Sequence, residues 1–149
     1  MMRIDHPMRG AAALCAVALL ALAACQGDDG DRIRGEVQLL TQQDTSDAVR
    51  AATDRLARWG RRALPPIEAA LHTADARGRK NLILALRRIG DEEAVPLLRH
   101  RALFDEEADV RREAEWTLRQ WSNEKGSRAD RARAAVREID EHKGREETG

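Results

Sequence analysis

Ile89-Gly90-Asp91-Glu92-Glu93-Ala94-Val95-Pro96-Leu97-Leu98 holds the end of one helix and the start of the next. Ile89 closes an apolar stripe, Leu82-Leu86-Ile89, whose i, i+4, i+7 spacing lies on one helix face. Gly90 follows, and glycine takes the left-handed backbone that ends helices at little steric cost. Asp91 stands where a side-chain oxygen can satisfy the free N–H groups of a new helix. Pro96 falls in the first turn of that helix, where its missing N–H matters least. So short a turn lays the two helices side by side.

The same signature recurs on both sides. Leu56-Ala57-Arg58-Trp59-Gly60, Leu86-Arg87-Arg88-Ile89-Gly90 and Leu118-Arg119-Gln120-Trp121-Ser122 end three segments alike, 30 and 32 residues apart. Ala63-Leu64-Pro65 matches Ala94-Val95-Pro96 at a spacing of 31. Such a period marks stacked helix pairs, each too small to bury its apolar face alone. The pattern predicts second (B) helices over 46–59, 76–89 and 107–121. First (A) helices are predicted over 34–43, 62–72, 92–103 and 127–142. Ser46 and Asp75 are the expected caps of B helices, Gly60 and Gly90 the expected helix ends. Pro65 and Pro66 start or kink an A helix. The B helices share one stripe, as Ala52-Leu56-Trp59, Leu82-Leu86-Ile89 and Ala114-Leu118-Trp121.

These residues resemble HEAT repeats, specifically the short bacterial kind also found in phycobilin lyases. The family pattern of Ile-Gly-Asp, two variable residues, Ala-Val-Pro and an apolar pair stands at Ile89 to Leu98. The resemblance covers roughly 45–121, is strongest over 75–103, and weakens at 34–43 and after Asn123, as terminal caps do. It implies an all-α fold, a short α-solenoid (α-α superhelix) of HEAT-like helix pairs over 35–143. Helix 127–142 is then a C-terminal cap, and 144–149 a disordered tail.

Composition agrees. Alanine, leucine, arginine and glutamate dominate, all good helix formers, and no stretch alternates with period two. Aromatic residues are 3% of the chain, namely Phe104, Trp59, Trp116 and Trp121. The 26 basic and 26 acidic side chains balance, which argues against a nucleic-acid partner.

The N-terminus carries a different signal. Arg3 and Arg9 precede an apolar run from Ala11 that closes on Leu22-Ala23-Ala24-Cys25. A basic stretch, an apolar stretch and small residues before a cut site make a secretory signal. Leu22-Ala23-Ala24-Cys25 resembles the lipobox of bacterial lipoproteins, in which the cysteine sulfur receives a diacylglycerol and the chain is cut before it. The resemblance implies a signal peptide over 1–24, a lipid anchor on Cys25, and a flexible tether over 25–34. Gln26 after the cysteine, in place of aspartate, implies sorting to the outer membrane, facing the periplasm. A transmembrane anchor is the poorer reading, because residues 11–25 at about 1.5 Å each fall short of a hydrocarbon core of about 30 Å. An ordinary secretory signal with an incidental Cys25 is the competing reading. Cys15 lies within the signal, so 25–149 keeps one cysteine and no internal disulfide.

No catalytic constellation stands out. His72, His100 and His142 fall on three predicted helices, none with His or Cys at i+3 or i+4, and read as solvated surface. Some HEAT-repeat enzymes, such as deoxyhypusine hydroxylase, hold a di-iron centre on paired His-Glu motifs. This chain has only the reversed Glu141-His142, so neither a metal nor a cofactor is expected. A bilin lyase activity fits poorly with export to the envelope. Glu92-Glu93 and Asp105-Glu106-Glu107 sit at helix starts, where acids favour the dipole.

One surface stands above this background. Stacking the B helices aligns Arg50, Lys80 and Arg112, and separately Ala57, Arg87 and Arg119. Leu84 and Trp116 share one register between those rows. Lys80, Leu84, Arg87, Arg112, Trp116 and Arg119 form a candidate partner-binding face with an apolar centre flanked by cations. Solvated surface is the alternative, with the Arg50-Asp54 and Glu115-Arg119 steps neutralising the rows and Trp116 packed beneath helix 127–142. The expected function is non-catalytic: a membrane-tethered scaffold or adaptor for another envelope protein. The competing class is an accessory or assembly factor for an envelope enzyme, binding an anionic ligand on the concave face.

Overall fold

The structure, a computed structural model, describes residues 29–148. The signal peptide 1–24, the lipobox Leu22-Ala23-Ala24, the acylation site Cys25 and the first part of the tether lie outside the described residues. The chain divides into two units, Met1–Arg32 and Ile33–Gly149. Of the first, residues 29–32 are described and are helical.

The second unit is an α-solenoid. Its helices are α1 (33–42), α2 (Ser46–Trp59), α3 (Leu64–Thr73), α4 (Ala76–Ile89), α5 (Val95–Phe104), α6 (Ala108–Ser122) and α7 (Ser127–Thr148). Short 3-10 turns, Gly60–Ala63 and Glu92–Ala94, lead into α3 and α5. The B helices α2, α4 and α6 lie side by side in that order. α3 backs onto α4, α5 onto α6, and α7 covers both α5 and α6. The predicted stripes form the core. Leu56, Leu82, Leu86 and Leu118 are fully buried between the layers, with Leu40, Ile67, Leu98 and Ile139 opposite them.

Local chemistry sets the helix limits. The Asp75 carboxylate accepts a hydrogen bond from Gly78 N (2.7 Å), and Asp91 accepts one from Glu93 N (2.9 Å). Gly90 ends α4 at φ 68°, a left-handed position, and Arg128 Nη1 donates to its carbonyl at 2.6 Å. Pro65, Pro66 and Pro96 occupy first turns of α3 and α5. The cap of α2 is Thr45 rather than Ser46. A cap needs extended backbone, which Thr45 has (φ −94°, ψ 140°), whereas Ser46 is already helical.

Two segment limits differ from expectation. Residues 29–34, read as tether, are helical, because Ile33-Val37-Leu40 forms a buried i, i+4, i+7 stripe that carries the helix toward the N-terminus. Residues 144–148, read as a disordered tail, continue α7. Close i, i+4 groups such as His142 Nδ1 and Glu146 Oε1 (3.7 Å) support that exposed end.

Polar side chains tie repeat to repeat. Arg79 on α4 places Nε 2.9 Å from Asp105 Oδ2, and its Nη2 donates to Asp105 Oδ1 (2.9 Å) and Glu106 Oε1 (3.0 Å). Burial opposes the Arg79 charge, but the hydrogen bond and charge of Asp105 outweigh it and raise the guanidinium pKa. Asp105 also accepts from Glu107 N (3.1 Å) at the start of α6. Asp105 is therefore a buried link between repeats, beyond the helix-dipole role expected of it. Asn81 Nδ2 donates backward to Leu40 O (3.1 Å) and Gln43 O (3.2 Å), satisfying carbonyls at the end of the N-terminal helix.

Candidate interaction face

The B-helix layer positions the candidate face. Lys80, Leu84 and Arg87 lie on α4, and Arg112, Trp116 and Arg119 on α6. The structure joins two of the six directly: the Arg87 guanidinium stacks over the Trp116 ring, 4.7 Å from its centroid. Trp116 remains 48% exposed there, facing away from the core. Its indole stacks with α4, where packing beneath α7 was the alternative expectation.

The two cationic rows are largely neutralised, Arg119 by the Glu115 expected of it and the others by partners that were not expected. Arg87 Nη1 donates to Glu113 Oε1 at 2.8 Å, across the α4–α6 seam. Arg112 pairs with Asp109, and Arg50 with Asp47 instead of Asp54. Asp54 accepts from Arg88 Nε at 2.9 Å. Arg119 holds Glu115 (2.9 Å), as expected, and also reaches Asp140 on α7. The hydrogen bonds it donates to Asp140 and Glu115 raise its pKa. Burial pushes the Glu115 carboxyl up, but hydrogen bonds from Lys143 (2.6 Å) and Arg119 outweigh that and leave it below the usual range. Among the described residues Lys80 makes no ion pair.

Between α2 and α4 the face opens into a cleft of about 530 Å³. Val49, Thr53 and Leu84 line it with Arg50, Asp54 and Arg88. Sequence periodicity marked Leu84 but not Val49 or Thr53, whose spacing makes them flank the buried stripe of α2. The structure also gathers two histidines that fall far apart in sequence. His100 and His142 flank Phe104, with ring centroids 5.4 and 5.9 Å away, and Phe104 is 61% exposed. Its place at the end of an A helix, just before Asp105, was the available signal. His72 lies elsewhere, with Nδ1 3.4 Å from Arg101 Nη2. No group of three potential metal ligands forms among the described residues. No described helix is long and apolar enough to cross a membrane.

This architecture, paired helices stacked at a period of about thirty residues with B helices sharing one layer, defines a helical-repeat protein. Residues 33–119 match the family described as HEAT repeats, and the chain belongs to that family. No curated protein and no solved structure matches the chain. HEAT repeats are generally protein-interaction scaffolds.

Proposed function

We propose that the chain is a membrane-tethered scaffold or adaptor of the bacterial cell envelope, without a reaction of its own. Lipid on Cys25 would hold the repeats at the periplasmic face of the outer membrane, where the B-helix layer receives another envelope protein. The observation that carries the scaffold reading is the B-helix layer itself. It keeps Trp116 outward, stacked against Arg87, whose other side faces an open cleft. Tryptophan and arginine are enriched among the residues that dominate protein-interface energetics. The tether rests on Leu22-Ala23-Ala24-Cys25 and its spacing from Arg3 and Arg9.

A Cys25→Ser chain tests the tether. It should lose metabolic fatty-acid label, keep residues 1–24, and differ in mass from the processed protein. Anchoring that lasts needs more than one acyl chain, which a di- or triacylated cysteine supplies. Wild-type chain that never takes up fatty acid, or a variant of unchanged mass in the membrane fraction, refutes the lipoprotein reading.

A further inference from the structure

The α2–α4 cleft contains an unmatched hydrogen-bonding group. Thr53 is 8% exposed and its buried Oγ1 has no hydrogen-bond partner. A threonine inside a helix ordinarily returns its hydroxyl to the carbonyl one turn back, as Thr117 does to Glu113 O at 2.9 Å. In helices threonine divides between two χ1 rotamers, and turning from one to the other exchanges the methyl and hydroxyl positions. That rotation would present the Thr53 hydroxyl to the cleft it lines.

Of the cations that line this floor, Arg87 is held by Glu113 and Trp116, whereas Arg50 and Arg88 are exchangeable. The Arg50–Asp47 pair has side chains 77% and 90% exposed, and the Arg88–Asp54 pair 63% and 40%. Exposed pairs of this kind hold weakly and give up a partner readily. Lys80, one turn before Leu84 on the same helix, has no ion-pair partner among the described residues. Lys80 and Arg88 are eight residues apart on α4, about 12 Å along the axis, with Leu84 midway.

We infer that this cleft receives a helical segment of a partner protein in which two carboxylates, about two turns apart, flank an aliphatic side chain. The aliphatic group would lie on Val49, Thr53 and Leu84. One carboxylate would meet Lys80 and Arg50, the other Arg88, with the Thr53 hydroxyl donating to whichever oxygen comes nearest. Two helical turns span about 10–11 Å, close to the separation of the cations. An open trough between neighbouring helices accepts a helix by groove packing. This inference rests on the scaffold reading and names the chemistry of its partner.

The test uses the full chain and a fluorescent, end-capped helical peptide with Glu, Leu and Glu at i, i+4 and i+7 in an alanine-rich host. Anisotropy should show saturable binding at low salt. It should weaken about tenfold or more when both peptide glutamates become glutamine, and likewise for a Lys80→Glu/Arg88→Glu chain. Added salt should weaken it as well. Thr53→Val should reduce affinity several-fold while leaving the melting temperature unchanged or raised, because it removes an unpaired buried hydroxyl. The peptide-side change keeps the test valid whatever the variants do to folding. No binding, or equal binding of the glutamate and glutamine peptides, overturns the inference. In cells, photocrosslinkers at Leu84 and Phe104 separate the two readings. A partner caught from Phe104 and never from Leu84 sinks the cleft but leaves the scaffold standing, whereas none from either position sinks both.

Discussion

Arg79 and Asp105, 26 residues apart, form a two-point ion pair inside the solenoid, with side chains only 9% and 1% exposed. Nη2 donates to Oδ1 while Nε lies 2.9 Å from Oδ2 without hydrogen-bond alignment, so one hydrogen bond and two close charge contacts hold α4 to the turn that starts α6. Removing one partner leaves the other its weaker contact only, Asp105 with Arg101 (3.4 Å) or Arg79 with the exposed Glu106 (3.0 Å). Asp105→Ala or Arg79→Ala should therefore cost up to about 3 kcal/mol in urea unfolding. A loss below about 1 kcal/mol in either variant would mean that the pair is solvated in solution.

The core makes a second prediction. Leu86 is fully buried in the middle B helix, so Leu86→Ala should cost about 2–5 kcal/mol. Leu39, 48% exposed, should tolerate alanine within about 0.5 kcal/mol. Comparable shifts in the two denaturation curves would be inconsistent with a core centred on α4.

The tryptophans should separate by environment. Trp121 is 3% exposed, and Trp121→Ala should cost about 3–5 kcal/mol. Trp116→Ala removes chiefly the stack with Arg87, worth about 0.5–1 kcal/mol at an exposed site. Calorimetric melting of the two variants, side by side, measures the contrast.

Gly90 is constrained twice over. Its φ of 68° disfavours any side chain, and an added Cβ would stand 2.6 Å from Arg128 Nη1. Gly90→Ala should destabilise the fold by about 1 kcal/mol or more. Gly35, whose Cβ would meet nothing within 4 Å, is the control: Gly35→Ala should be neutral or stabilising.

Acid should weaken the fold through Asp91 and Glu115. A hydrogen bond from Arg61 holds Asp91 below its usual 3.8, and Glu115 lies below its usual 4.5. Unfolding restores ordinary pKa values, so the unfolded chain binds more protons in the window beneath them. Stability is then fully present above those ordinary values and is lost as pH falls through the depressed ones. Urea midpoints measured from about pH 6 downward should fall more steeply below pH 4.5 for the wild type than for Glu115→Gln.

The helix pairs were legible in the chain because their causes are local. Apolar spacing, Asp75, Gly90 and the three first-turn prolines act within a few residues of where they stand. The candidate face was legible only in part. Periodicity placed Lys80, Leu84 and Trp116 outward, but it could not choose ion-pair partners. Asp54 lies four residues from Arg50 yet bonds to Arg88, 34 residues away, because the neighbouring B helix brings that guanidinium within reach and Arg50 turns back to Asp47.

The sequence by itself determined the class of fold. The thirty-residue period and the i, i+4, i+7 stripes leave each helix pair one apolar face that only another pair can cover. Tertiary structure alone decided which charges pair from one repeat to the next, where Trp116 stacks and where a cleft remains. Those outcomes depend on distances between residues that are 26 to 38 positions apart, as with Arg87–Glu113 and Arg128–Gly90. Such distances are set by how whole helices pack, and no local pattern encodes them.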